Sequence, residues 1–217
     1  MMYAIDESAD QAVPRTQEEA NELARQALKK MGAAQVFLTK VRPSPERPYL
    51  SPAVMRLRLV PKYHPSLTTA AVDACWRLYF SPVFVMTSSV ELLAAVIEHE
   101  IWHLLLDHHR VAEKAKIPKW ASTVWNIAAD CEIHNDEILF KRLTDNGFKG
   151  LNYKKIGCKR QRTLIEYYNE LMERAIIYRT AASHEVYINH QMPQEQYDFI
   201  DQEMGGISVT YKGSKVK

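Results

Sequence analysis

The chain has 217 residues, of which 47% are hydrophobic and 25% charged, and its formal net charge is +2. That profile describes a globular chain with a core of its own and excludes collagen-like, coiled-coil and wholly disordered sequences. The near-neutral charge supplies no field to draw nucleic acid, and no apolar run approaches the ~20 residues of a membrane span.

Residues 1–15 read as a loose leader. Asp6, Glu7 and Asp10 stand where a signal peptide would have an apolar stretch, so none is expected. Thr16-Gln17-Glu18-Glu19 forms a capping box that predicts a helix through Leu23 and Ala27 to Met31-Gly32. Val36-Phe37-Leu38 suggests a short strand. Pro43, Pro45, Pro48 and Pro52 predict an extended connector. Met55-Arg56-Leu57-Arg58-Leu59 alternates as a half-buried strand does. Thr68 to Val85 predicts a hairpin turning at Asp73-Ala74, with Trp76 to Phe80 as a strand that could hold an extended peptide along a sheet edge.

Thr87, Ser88 and Ser89 offer caps for a long helix. Leu93, Ile97, Ile101, Leu104 and Leu105 form its core stripe, and without Gly or Pro before Pro118 it is expected to reach Lys114. A further helix is predicted from Ser122 to Phe140, a loop at Gly147 and Gly150, and a last helix from Thr163 through Leu164, Tyr167, Tyr168 and Leu171. No repeat or linker divides the chain. The expectation is one domain over 16–204 and a flexible tail over 205–217.

Several classes of chemistry drop out. Glycine numbers only 7, and neither GxxxxGK[ST] nor GxGxxG occurs. Cys75, Cys131 and Cys158 are an odd, widely spaced set, which is neither a disulfide framework nor a CxxC pair. A reducing cytoplasm is the expected compartment. The basic cluster from Lys154 to Arg162 reads as a solvated loop, and no nucleic-acid or membrane partner is expected.

Histidine is the unevenly distributed residue: His99, His103, His108, His109 and His134 lie within 36 positions. His99-Glu100-Ile101-Trp102-His103 is an HExxH motif. Imidazoles four apart share a helix face and can converge on one zinc ion, predicted here to lie opposite the core stripe. Zinc lowers the pKa of a water it binds to about 7 and polarises a carbonyl. Glu100, beside the first ligand, is placed to take a proton from that water.

The third ligand has four candidates. His109 matches the spacing of HExxHxxGxxH, but Leu106 replaces the glycine that breaks the helix, and on a continuous helix His109 points about 100° away. His108 has a weaker claim still. Asn126, Asp130 and His134 share one face of the next predicted helix. An aspartate among small residues is costly to bury unless paired or metal-bound, which favours Asp130 over His134. Cys131, one residue on, points elsewhere and reads as a small buried hydrophobe.

The run from Val72 to Asp136 resembles the zincin-like metallopeptidase domain found upstream of von Willebrand factor A-like domains in bacteria and phages. The matching pieces are Val72-Asp73, Trp76-Arg77-Leu78, Ser81-Pro82-Val83-Phe84-Val85, His99 to Arg110 and Trp125-Asn126-Ile127-Ala128-Ala129-Asp130. The resemblance implies His99 and His103 as metal ligands, Glu100 as catalytic base and Asp130 as third ligand. The expected fold is α+β and zincin-like: a small sheet packed on a long HExxH helix, with later helices closing the site. The expected activity is zinc-dependent peptide hydrolysis with one Zn²⁺. Its partners would be a peptide or protein substrate and a separately encoded regulatory protein. The alternative is a zincin-like scaffold with a structural metal, closed by a fourth ligand from His109 or His134.

Overall fold

The computed structural model describes residues 14, 16–41, 50–179 and 184–188. The expected leader, but for Pro14, and the expected tail lie outside them. The architecture is mixed α+β, mostly helical, with a small three-stranded sheet. The chain forms two compact units. Among the described residues, one holds 14, 16–41, 50–111 and 137–150, and the other holds 112–136, 151–179 and 184–188.

The first unit opens with α1 (Gln17–Val36). Thr16 Oγ1 accepts from Glu19 N at 3.1 Å, the cap that the sequence predicts. The helix does not stop at Gly32. It passes through Val36 into a single π-helical turn, Phe37–Val41, so no strand forms there. Gly32 is an interior residue, and a Cβ built on it would meet nothing within 4 Å. Interior glycine is tolerated at about 1 kcal/mol when its neighbours pack, and Ala27, Met31 and Ala34 are buried.

Next comes α2 (Leu50–Arg56), where an extended segment was expected. Pro52 falls in its first turn, where a missing N–H costs nothing. The helix takes Met55 and Arg56 out of the predicted strand, and β1 begins three residues later, at Arg58–Pro61. The expected hairpin forms as β2 (Ala70–Val72) and β3 (Arg77–Phe80), antiparallel, with Leu78 opposite Val72 and Phe80 opposite Ala70. Its turn is built by Asp73, whose Oδ1 accepts from Cys75 N at 2.9 Å and Arg77 N at 3.1 Å. β1 runs parallel to β3 on the other side, so the order is β1-β3-β2. The strand expected at a sheet edge is therefore the central one. Both its sides are already hydrogen-bonded, and it cannot receive an added peptide strand.

After α3 (Pro82–Thr87) comes α4 (Val90–Leu105), capped by Ser89 Oγ accepting from Leu92 N at 3.0 Å. α4 packs on α1, α2 and β2, and on α7 (Glu137–Asp145). Every residue from Leu93 to Ile101 is buried. The helix is therefore enclosed along its middle, not amphipathic with an open metal face. It also ends nine residues before Lys114. Asp107 adopts a left-handed conformation, φ 58°, and α5 (His108–Lys114) starts afresh.

The second unit contains α6 (Ser122–Ile133) and α8 (Leu164–Arg174), packed on each other. The predicted helix from Ser122 to Phe140 is two: α6 ends at Ile133, and α7 begins at Glu137. The start of α8 matches expectation, with Glu166 accepting from Thr163 N at 2.8 Å. A hairpin that the sequence did not suggest follows, β4 (Ala175–Arg179) with β5 (His184–Ile188).

Trp125 meets Tyr168 edge-on at 5.2 Å, and the buried Tyr167 donates its hydroxyl to Asn135 Oδ1 at 2.7 Å. Burial pushes the Tyr167 hydroxyl up to about 12. An unfolded tyrosine ionises near 10. The folded state thus holds this proton more tightly. Its contribution is complete below pH 10 and is lost as pH rises through about 10 to 12, by about 3 kcal/mol. Tyr167→Phe should flatten the fall of the urea midpoint across that window, at a cost of about 1 kcal/mol at neutral pH for the lost hydrogen bond.

Candidate metal centre

α4 delivers the motif in one rigid piece. His99 and Glu100 are 1% and 2% exposed, and His103 is half-buried one turn later. The two imidazoles meet at Nε2, 3.1 Å apart, with ring centroids at 4.8 Å and planes at 80°. Two imidazoles on one tetrahedral ion at 2.0–2.1 Å would hold their nitrogens about 3.3 Å apart, so this separation suits a shared cation. Phe148 lies against His99, ring centroids 6.3 Å apart at 51°.

His103 is engaged on both sides. Its Nδ1 lies 2.9 Å from Nδ1 of His108, which is 3% exposed. The left-handed turn at Asp107 makes this possible, because it resets the helical phase between the two residues. His108, ranked below His109 on sequence grounds, is the one directed at the motif. His109 is exposed and faces the backbone of Val72 and the Asp73 carboxylate; partial desolvation and neighbouring His108 hold its imidazole below the ordinary value. The signal that could have revealed this was Asp107. Aspartate is among the few non-glycine residues that enter the left-handed region readily, and it stands one position beyond where the longer motif has its glycine.

Glu98, one residue before the motif, also escaped sequence reasoning. It is 0% exposed and pairs with Arg142 of α7. Glu98 is thus turned to the guanidinium of Arg142 from the position just before His99.

On α6, Asp130 is half-buried. Burial, and then the Asp130 carboxylate, push the Cys131 thiol well above its ordinary value, so it is neutral and fills space as expected. His134 is the C-cap residue of α6, its N–H bonded to Asp130 O at 2.8 Å, and its ring Nδ1 bonds the Leu151 carbonyl oxygen.

His99 and His103 belong to the first unit and Asp130 to the second, and each is a residue type that could hold a metal ion. Two imidazoles and a carboxylate are a donor set that suits zinc. The fold is α+β, and its HExxH helix carries the candidate centre. The chain belongs to the family described as putative metallopeptidase domain, whose sequence profile matches residues 29–191. This bears out the resemblance read from the two motifs. No curated protein and no solved structure is matched. Among the described residues, no helix is long and apolar enough to cross a membrane.

Proposed function

We propose that this protein is a zinc-dependent peptidase acting in the cytoplasm on a peptide or protein substrate. The observation that carries the reading is the HExxH pair on α4, His99 and His103 with their Nε2 atoms 3.1 Å apart, in a chain of a metallopeptidase family. His99, His103 and Asp130 would hold one divalent ion, which supplies an electrophile for the scissile carbonyl and acidifies water.

The remaining work falls to Glu100. Its carboxylate, next to the first ligand on an enclosed helix, orients the attacking water and takes its proton. It then returns that proton to the leaving amine. Burial suits this task, because a carboxylate screened from bulk water exchanges its proton with the reacting groups and not with solvent. A scaffold with a closed structural metal finds less support, since His109 faces Val72 and Asp73 and the His134 ring is bonded to the Leu151 carbonyl oxygen.

Metal analysis tests the site directly. Wild-type protein purified without chelator should contain about one zinc per chain, and His103→Ala and Asp130→Ala should each lose it. A wild type that neither carries zinc nor takes it up on addition would overturn the proposal. Retention in Asp130→Ala alone would remove Asp130 from the ligand set.

A further inference from the structure

The contact between His103 and His108 has no role in the scheme above. We propose that His108 is a positioning residue that fixes the tautomer and ring plane of His103; this rests on the reading of His103 as a metal ligand. On an uninterrupted helix, residues five apart are 500° around, or 140° off a common face, and could not meet. Here they meet because Asp107 is left-handed. The turn is tied at both ends: Asp107 N donates to Leu104 O at 3.1 Å, and Val111 N donates to Asp107 O at 3.0 Å. The Asp107 carboxylate also pairs with Arg110.

The geometry dictates the proton positions. His103 turns Nε2 toward His99, so Nε2 is the ligating atom and must be unprotonated. The proton of a neutral His103 is then on Nδ1, which lies 2.9 Å from Nδ1 of His108. That nitrogen accepts, so His108 carries its own proton on Nε2. The two rings are nearly perpendicular, 78° apart, with centroids at 5.0 Å. An acceptor so placed prevents His103 from flipping about χ2 and keeps electron density on the ligating nitrogen. His108 is not itself a ligand, because its Nδ1 is committed to the side of His103 that faces away from Nε2. Removing such a partner typically costs 10- to 100-fold in metal affinity.

The test measures zinc affinity, by competition with a chromophoric chelator, in wild type, His108→Leu and His108→Asn. Leucine fills similar space without an acceptor, whereas the Asn amide oxygen can stand where Nδ1 does. Zinc should bind about 10- to 100-fold more weakly to His108→Leu and within about 3-fold of wild type to His108→Asn. Equal affinity in wild type and His108→Leu would overturn the positioning role while leaving the metal site intact. Absence of zinc binding in wild type would instead overturn the metal site itself. A measurement without mutation guards against misfolded variants. Long-range ¹H–¹⁵N spectra of zinc-loaded wild type should show His103 protonated at Nδ1 and His108 protonated at Nε2 only. A His108 protonated at Nδ1 would refute the assignment.

Discussion

Replacing Glu100 by Gln is expected to lower peptide hydrolysis by about 10²- to 10⁴-fold while leaving zinc content unchanged. The substitution keeps the shape and hydrogen-bonding reach of the side chain and removes only its ability to take a proton. Glu100 is 2% exposed, so bulk solvent is poorly placed to supply a substitute base. The measurement is kcat/KM of wild type and variant on a quenched-fluorescence peptide that the wild type cleaves, with zinc determined on the same samples. Loss of zinc together with activity would mean that Glu100 holds the site together. Undiminished activity would mean that another group is the base.

The second large effect concerns stability. Arg142→Met should destabilise the protein by about 3–5 kcal/mol, because it leaves the fully buried Glu98 carboxylate without its guanidinium. The pair joins α4 to α7, so its loss acts on the helix that carries the motif. Breaking one partner of a buried pair costs much more than replacing both. The double variant Glu98→Leu/Arg142→Leu should therefore recover most of the loss. Urea unfolding of wild type, Arg142→Met and the double variant measures this. A loss below about 1 kcal/mol for Arg142→Met would show that Glu98 does not depend on Arg142.

The motif was legible because four-residue spacing is the one interval a helix cannot disguise: wherever α4 lies, His99 and His103 share a face. Asp130 drew attention for a related reason, since a carboxylate amid Ala128, Ala129 and Cys131 needs an explanation. His108 was not. Its place depends on one left-handed residue in a stretch with no Gly or Pro, and periodicity carries no mark of a single dihedral angle. Glu98 was hidden because its partner lies 44 positions away, and nothing local distinguishes it from a solvated helix glutamate. The hairpin was readable from its β-branched and aromatic residues, but its place at the centre of the sheet follows from the parallel partner β1. That strand was in turn displaced because Pro52 opens a helix where proline density suggested extended chain.

The enclosure of α4 from Leu93 to Ile101 has a kinetic consequence. Backbone amides in so protected a run exchange with solvent chiefly when the unit opens as a whole, whereas helix ends beside a break fray far more often. His99 stands inside the protected run. His103 stands beyond it, four residues from the break at Asp107. Two imidazoles that share a place thus differ in lifetime. If the proposed ion is held by both, it would part from His103 first and leave His99 last, and the rate of metal exchange would be set at the C-terminal end of the helix.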